Sequence, residues 1–316
     1  MILAPPTTML RDHPIPTWFK VGGRADRYAR PGDEQALAAL VRDEPGLLIL
    51  GDGANLLVDD SGVGGVVADL SALNTVAFDP HAPRLTVGAG VNLPKLILET
   101  VRRGLGGLES LGGVPATVGG AVVMNAGGRY GEIADAITKV RGITRRGEVV
   151  ELDRREIPFA YRSSGLGGLI VTAAEFALTP GDPVRLRERL KSIMADKKAS
   201  QPLGASCAGC CFKNPTLARD VEALGHAGQR VSAGLVIDRA GLKGLRVGLA
   251  EVSPLHANFI TTADAAHGGR AADVIELMQA VAGRVAERFG VRLQREVVVW
   301  SRQGVVPDPH APEPAP

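Results

Sequence analysis

Three cysteines, at positions 207, 210 and 211, lie within five residues of one another and are the only cysteines of the chain. Cys207 and Cys210 form a C-x-x-C pair, which is typical of a thioredoxin-like redox pair or of half a zinc site. Zinc normally takes four ligands and no paired histidines occur at finger spacing, so we predict no metal site. The spacing leaves open a regulatory Cys207–Cys210 disulfide. Cys211 is predicted to be a small buried side chain, which is also the alternative for Cys210.

A glycine-rich segment, Gly51–Leu57, follows a short predicted strand at Leu47–Leu50. We call it the first glycine loop. Its glycines would let successive backbone N–H groups converge on an anion such as a pyrophosphate. The alternative is a tight surface turn. The segment is not a Rossmann G-x-G-x-x-G, because Leu56 occupies the last glycine position.

A longer segment, Gly112–Gly128, carries no charged residue. We call it the second glycine loop. It has too many glycines and small side chains for an ordinary helix or strand, and a large, flat, partly polar partner would satisfy so much exposed backbone. An isoalloxazine ring with its ribityl chain would be such a partner. The alternative is a buried structural loop, which would leave backbone groups unpaired.

The order of these and other motifs indicates a family. From about residue 17 to residue 300, the chain resembles the UDP-N-acetylenolpyruvoylglucosamine reductase (MurB) family, and the resemblance depends on seven motifs occurring in order. The motifs are Thr17–Gly23, Gly51–Leu57, Gly112–Gly127, Tyr161–Ser164, Gly209–Pro215, His256–Ile260 and Glu296-Val297.

The resemblance implies an α+β fold. It would consist of an FAD-binding unit of the PCMH (vanillyl-alcohol-oxidase) type, built from two subdomains, and a smaller α/β substrate domain. We place the subdomains at residues 1–75 and 76–185 and the substrate domain at 186–303, with its last strand packing back toward the FAD unit and a disordered tail at 304–316. Tyrosines occur only at positions 28, 130 and 161, before the substrate domain. The tyrosine-bearing loop of some members is therefore missing, as in the family's shorter second subgroup.

The resemblance also implies a reaction. The family reduces UDP-N-acetylglucosamine enolpyruvate to UDP-N-acetylmuramate, a step in bacterial peptidoglycan synthesis and hence in cell-wall growth, cell shape and division. NADPH gives a hydride to FAD, the flavin passes it to C3 of the enolpyruvyl group, and C2 is then protonated. The glycine loops contain no histidine that could tether the flavin, which favours noncovalent FAD.

Three residues match the family's catalytic positions. Hydride addition leaves negative charge in the substrate carboxylate, which a fixed cation and a hydrogen-bond donor would stabilise. Arg162 matches the cation, and Glu296 matches a glutamate whose role requires a raised pKa. Cys210 stands where most members carry the proton-donating serine. A thiol with an ordinary pKa of roughly 8.5 is mostly protonated at neutral pH and can act as the general acid. Without the resemblance, Arg162 would be a surface ion-pair partner and Glu296 a charge at a strand edge.

Binding residues also follow from the matched motifs. Ala54 stands where a serine is common, which leaves backbone contacts to the FAD pyrophosphate. The predicted cofactor-binding residues are Gly51, Gly53, Ala54, Asn55, Leu56, Gly112, Gly113, Pro115, Gly119, Gly120, Ala121, Asn125, Ala126 and Gly127. The predicted substrate-binding residues are Tyr161, Lys198, Asn214 and His256.

Two other functions compete with this one. The first is another PCMH-type FAD oxidoreductase that uses oxygen. The second is a non-catalytic protein that binds a flavin or a nucleotide sugar, which would require Arg162 or Glu296 to be absent or misplaced.

Composition sets the class of protein. The 316 residues suggest two or three domains, and the net charge of +2 with no basic run predicts no nucleic-acid partner. The low cysteine count favours a reducing compartment. Residues 1–8 lack the features of a signal peptide, and no segment reaches the roughly 18 apolar residues of a membrane span. We therefore expect a cytoplasmic monomer with no membrane partner.

Hydrophobic periodicity and turn residues predict the elements that would position these residues. The predicted helices are Ala36–Arg42, Asn92–Arg103, Pro183–Lys198, Thr216–Leu224, Ser232–Ala240 and Ala271–Phe289. The predicted strands are Leu47–Leu50, Val66–Leu70, Arg84–Val87, Lys139–Ile143, Glu148–Leu152, Leu169–Leu178 and Glu296–Trp300. A hairpin turn is predicted at Arg145–Gly147.

Overall fold

The computed structural model describes residues 7–310. Within that range the chain forms two compact units, each with its own hydrophobic core. Unit 1 contains the described residues up to His13, Asp26–Asp52 and Gly65–Lys197. Unit 2 contains Pro14–Ala25, Gly53–Gly64 and the described residues from Lys198 onward.

The secondary structure mixes helices and strands throughout. The α-helices are α1 (Glu34–Asp43), α2 (Leu93–Arg102), α3 (Val118–Val123), α4 (Pro183–Ser200), α5 (Ala233–Arg239) and α6 (Ala271–Phe289). The strands are β1 (Met9–Pro14), β2 (Arg24–Ala29), β3 (Leu48–Leu50), β4 (Leu56–Val58), β5 (Val63–Asp69), β6 (Val76–Phe78), β7 (Arg84–Gly88), β8 (Leu105–Gly106), β9 (Gly127–Gly128), β10 (Gly131–Glu132), β11 (Ile137–Thr144), β12 (Val149–Asp153), β13 (Leu169–Ala177), β14 (Thr179–Pro180), β15 (Arg246–Val247), β16 (Ala250–Val252), β17 (Ile260–Thr261), β18 (Val298–Ser301) and β19 (Gly304–Val306).

The main sheet of unit 1 is antiparallel, with strand order β12-β11-β13-β7-β6. The predicted hairpin at Arg145–Gly147 joins β11 to β12, and Gly147 takes the positive φ of +80° that its turn requires. A second sheet has the order β1-β2-β5-β3, with β3 and β5 parallel. Helix α2 buries Leu96, Ile97 and Val101 in the core of this unit, because these residues recur on one helical face.

Unit 2 is built around α6 and two small sheets, β15-β16-β17 and β19-β18-β4. The apolar residues of α6 recur every three or four positions and are buried. The carboxylate of Asp60 accepts hydrogen bonds from the N–H groups of Ala271 and Ala272, at 2.8 and 3.0 Å, which satisfies the start of the helix. Gly290, with φ of +67°, ends it. Strand β18 returns to pair in parallel with β4.

Two sequence-based expectations for unit 2 were wrong. Residues 216–224 form no helix, because the segment pairs with residues farther along the chain. The N–H of Leu217 donates to the carbonyl of Gln229, and Thr216 forms a β-bridge with Arg230. The tail does not become disordered at Gly304, because β19 pairs with β18 there. The expectation of disorder at residues 311–316 lies outside the described residues. The other predicted helices are confirmed to within two residues at each end.

Among the helices of residues 7–310, none combines the length and apolar composition that a membrane crossing needs. Within the same range, no group of three or more histidine, cysteine or carboxylate side chains is arranged to hold a metal ion.

Candidate functional site

The first glycine loop presents unpaired backbone donors in unit 2. Within residues 7–310, the N–H groups of Gly53, Ala54 and Asn55 donate to no protein acceptor. Gly53 is nevertheless buried, and its φ of +64° is in the left-handed region. Three consecutive N–H groups without protein acceptors are the kind of donor set that holds a phosphate or pyrophosphate.

Two residues of this loop use their side chains for structure. Asn55 Nδ2 donates to the carbonyl of Glu296 at 3.1 Å, and the Asn55 carbonyl accepts from the N–H of Val298 at 3.0 Å. Leu56 opens β4 and is 5% exposed. The Asn55 side chain therefore helps to hold the segment that carries Glu296.

The second glycine loop is more regular than its composition suggests, and the expectation that it could not form a helix was wrong. Residues 118–123 form α3, and Thr117 caps it by accepting from the N–H of Gly120 at 3.4 Å. The N–H of Gly119 donates to the carbonyl of Ala89 at 2.8 Å. A Cβ on Gly119 would lie 2.7 Å from that of Ala89, so glycine lets the helix pack closely here. Gly119 and Ala121 are thus packing positions, whereas Gly120 is exposed.

The start of this loop packs against α4 within unit 1. A Cβ on Gly112 would lie 2.6 Å from Leu190 Cδ1. A Cβ on Gly113, which has φ of +75°, would lie 2.9 Å from Lys197 Cδ. Lys197 therefore covers the loop, whereas Lys198, the predicted phosphate ligand, is exposed near the end of α4. Pro115 is half-buried.

The end of the second glycine loop holds a tight turn at Tyr161-Arg162. Ala160 and Ser163 exchange two backbone hydrogen bonds of 2.8 and 3.0 Å, which leaves Tyr161 and Arg162 at the two corners of the turn. Asn125 is fully buried, and its Nδ2 donates to the carbonyl of Ala160 at 3.0 Å. Asn125 thus anchors the turn, and its side chain is engaged within the protein.

Arg162 occupies a strained position in this turn. Its φ is +54°, which is uncommon for a residue with a side chain. Arg162 Nη1 donates to the carbonyl of Gly127 at 2.9 Å, and Ser164 Oγ donates to the carbonyl of Val123 at 2.8 Å. Backbone strain that the surroundings hold in place is a feature of functional sites.

In unit 2, Cys210 and Glu296 lie on neighbouring segments. The N–H of Glu296 donates to the carbonyl of Cys211 at 2.8 Å, and that of Lys213 donates to the carbonyl of Gln294 at 2.9 Å. These two bonds form a short antiparallel ladder around the Phe212–Arg295 bridge. The ladder brings together two of the three predicted catalytic residues.

The three cysteines differ in their access to solvent. Cys211 is fully buried, as predicted, and Cys207 is 7% exposed, whereas Cys210 is half-buried. Burial raises the pKa of both Cys207 and Cys211. A buried thiol cannot reach a bound ligand, so of the three cysteines Cys210 is the one whose side chain is accessible to a substrate.

The remaining predicted substrate ligands in unit 2 make local contacts. Asn214 Oδ1 accepts from the N–H of Ala233 at 3.0 Å, at the start of α5. Burial lowers the pKa of His256, whose Nδ1 accepts from the N–H of Asn258 at 3.3 Å. His256 is therefore neutral at pH 7. No role for Asn258 was predicted. A polar side chain amid the apolar residues Ala257, Phe259 and Ile260 was nevertheless a signal that it must find buried partners.

Replacing Gly53 by alanine is expected to damage the first glycine loop. The new Cβ would lie 2.2 Å from the carbonyl oxygen of Pro16 at a φ of +64°. Left-handed strain and overpacking together should cost about 2–5 kcal/mol of folding free energy. Thermal unfolding measures the loss of stability. The flavin content of the purified protein measures the damage to the loop. Gly204→Ala is the control, because a Cβ there meets nothing within 4 Å. Equal stability and flavin content in the two variants would contradict the prediction.

Comparison with known proteins defines the class. Residues 25–153 match the family model of an FAD binding domain, and residues 201–300 match that of the UDP-N-acetylenolpyruvoylglucosamine reductase C-terminal domain. The chain is thus a two-part flavoprotein, and the unpaired donors of Gly53–Asn55 fit the pyrophosphate of FAD.

Similar proteins extend over nearly the whole chain. The UDP-N-acetylenolpyruvoylglucosamine reductase of Syntrophobacter fumaroxidans is 40% identical over 295 residues, which cover 90% of this chain and 81% of that protein. The reductase 2 of Symbiobacterium thermophilum is 39% identical, over 95% of this chain and 94% of its own. The crystal structure of MurB from Thermus caldophilus is 36% identical with a TM-score of 0.75, covering 93% of this chain and 98% of the other. This chain belongs to the UDP-N-acetylenolpyruvoylglucosamine reductase family, and the expected α+β fold with a PCMH-type FAD-binding unit is confirmed.

Proposed function

We propose that this chain reduces UDP-N-acetylglucosamine enolpyruvate to UDP-N-acetylmuramate, with noncovalent FAD and with NADPH as the hydride source. Family membership over nearly the full length supports the activity. The observation that carries the proposal is the ladder in unit 2, in which Glu296 pairs with Cys211, the residue that follows the half-buried Cys210.

Bound FAD would supply the hydride that C3 of the enolpyruvyl group receives. Gly53, Ala54 and Asn55 would hold its pyrophosphate through their backbone N–H groups. The glycine-loop positions that pack against protein, such as Gly112 and Gly119, would help by keeping the backbone close to the cofactor rather than by polar contacts.

Cys210 would protonate C2 of the substrate. Its S–H bond breaks as the C2–H bond forms, and solvent returns the proton to the thiolate. Arg162 would stabilise the negative charge that develops in the substrate carboxylate, and Glu296 would hydrogen-bond the same group. Tyr161, Lys198, Asn214 and His256 remain proposed substrate ligands.

The finer assignments are also proposals. The absence of tyrosines after position 161 supports the family's shorter second subgroup. All three cysteines are free thiols, which supports a cytoplasmic enzyme. We propose a monomer that contributes to peptidoglycan synthesis, and through it to cell shape and division, and that has no nucleic-acid or membrane partner. The division into parts at residues 1–75, 76–185 and 186–303 likewise remains a prediction.

Separate half-reactions test the function. Without oxygen, NADPH should bleach the flavin absorbance, and UDP-N-acetylglucosamine enolpyruvate should then restore it with formation of UDP-N-acetylmuramate. UDP-N-acetylglucosamine, which lacks the enolpyruvyl group, is the control and should restore nothing. A flavin that only oxygen reoxidises would favour the oxidase, and one that NADPH cannot bleach would favour a non-catalytic binding protein.

A further inference from the structure

Asn258 is a buried polar residue that forms hydrogen bonds with the segment after Cys210. It is 2% exposed. Its Oδ1 accepts from the N–H of Phe212 at 3.0 Å, and its Nδ2 donates to the carbonyl of Phe212 at 2.8 Å. Its own carbonyl accepts from the N–H of Cys211 at 2.8 Å. Asn258 therefore makes three hydrogen bonds to the two residues that follow Cys210.

The bonds from Asn258 take the place of the hydrogen bonds that a second neighbouring strand would make. One side of the Cys211–Lys213 segment pairs with Gln294–Glu296, as in an ordinary antiparallel ladder. On the other side, the Asn258 amide offers Phe212 one donor and one acceptor, as a neighbouring peptide group would. Phe212 is 3% exposed, so losing this partner would leave its N–H and carbonyl buried and unpaired. A segment in that state can regain partners only by moving.

Asn258 itself is held firmly. Its N–H donates to His256 Nδ1 at 3.3 Å, and the N–H of Phe259 donates to the carbonyl of His256 at 2.9 Å. Ser253, 2% exposed, accepts from the N–H of His256 at 3.4 Å and donates its own N–H to the carbonyl of Phe259 at 2.8 Å. This tight turn fixes the amide, so Asn258 can act as a rigid support for the Cys211–Lys213 segment.

We propose that Asn258 is a positioning residue for the Cys210 thiol. The inference depends on the proposed role of Cys210 as proton donor to C2. Proton transfer needs the donor within hydrogen-bond reach of the receiving atom, and a displacement of about 1 Å can lower a rate about 100-fold. Asn258 fixes the backbone of the next two residues, and it thereby sets where the thiol of Cys210 lies.

The key variant is Asn258→Asp, which keeps the size of the side chain. The carboxylate can still accept from the N–H of Phe212, but it loses the donor and repels the Phe212 carbonyl. In anaerobic rapid-mixing experiments on flavin-loaded protein, reduction by NADPH should stay within about twofold of the wild-type rate. Reoxidation by UDP-N-acetylglucosamine enolpyruvate should slow about 10- to 100-fold. The solvent deuterium isotope effect on reoxidation should rise, because proton transfer from the misplaced thiol to C2 becomes the rate-limiting step.

A control separates positioning from stability. Asp60→Ala removes the carboxylate that accepts from the N–H groups of Ala271 and Ala272 at the start of α6. It should lower the melting temperature but leave both half-reactions unchanged. If Asn258→Asp does not fold, Asn258→Ser, which is smaller and uncharged, takes its place.

The rate at which iodoacetamide alkylates Cys210 gives a readout that is independent of turnover, since Cys207 and Cys211 are buried. This rate should change in the Asn258 variant.

The outcomes are distinct. Unchanged reoxidation and alkylation in the Asn258 variant would overturn the inference, as would equal slowing of both half-reactions. If Cys210→Ala itself reoxidises at the wild-type rate, the proposed role of Cys210 fails, and the inference that depends on it fails as well. If Cys210→Ala stalls while the Asn258 variant reoxidises normally, only the positioning role is lost.

Discussion

Replacing Cys210 by alanine should leave flavin reduction intact and stall flavin reoxidation. The alanine variant has no proton to give to C2, and loss of a general acid typically lowers a rate by about 10²–10⁴-fold. Reduction by NADPH needs no thiol, so its rate should stay within about twofold. Cys210→Ser should keep substantial activity, because a hydroxyl at the same position can also donate a proton.

The measurement is single-turnover absorbance of the flavin after mixing with the substrate. Cys207→Ala is the matched control: it removes a neighbouring thiol that is 7% exposed and has a pKa raised by burial. That variant should reoxidise at the wild-type rate. A Cys210→Ala enzyme that turns over normally would mean that the proton comes from elsewhere.

The Cys207→Ala variant also tests the regulatory disulfide that the C-x-x-C spacing suggests. If the enzyme is inhibited by peroxide and this sensitivity disappears in Cys207→Ala, the disulfide is supported.

The sequence predicted well those elements whose signals are local. Helix α6 was predicted with the observed bounds, because its apolar residues recur at helical spacing and Gly290 marks its end. The prediction of a Thr216–Leu224 helix was wrong because Gly225, a residue type that commonly follows a helix end, here belongs to a turn in which Val221 and Gly225 pair with each other. A local pattern cannot reveal that the partner of Leu217 is Gln229.

The second glycine loop shows a different limit of prediction from sequence. Its composition was interpreted as favouring a ligand that satisfies the exposed backbone, with a buried structural loop as the alternative. In the structure, Gly119 is needed because α3 packs against Ala89, and much of the loop's backbone pairs within unit 1. Small residues allow close approach of protein to protein as well as of protein to cofactor, and composition does not distinguish the two.

Asparagine side chains hold the proposed catalytic residues in a way that the sequence did not predict. Asn55 bonds the carbonyl of Glu296, 241 residues away, and Asn258 bonds Phe212, 46 residues away. Asn125 bonds Ala160, 35 residues away, at the start of the turn of Arg162. In each case a side-chain amide donates to a backbone carbonyl that is distant along the chain. The motifs contained these asparagines, but only the fold shows that their side chains bind protein.

Arg162→Ala should slow reoxidation by the substrate about 10²–10³-fold, the usual cost of removing one charge-stabilising group from a transition state. Arg162→Lys should recover only part of the activity. A lysine keeps the charge but lacks the planar fork that lets one guanidinium group donate to the Gly127 carbonyl and to a carboxylate together.

Arg162→Gly separates charge from backbone strain. Arg162 sits at φ of +54°, where a residue with a Cβ carries about 1–2 kcal/mol of strain that glycine relieves. The glycine variant should therefore unfold at a higher temperature than Arg162→Ala and yet reoxidise equally slowly, because both lack the guanidinium. Thermal unfolding and single-turnover reoxidation of the two variants provide the comparison. If glycine restores the rate, the turn's conformation and not the charge of Arg162 determines activity, and the proposed electrostatic role is wrong.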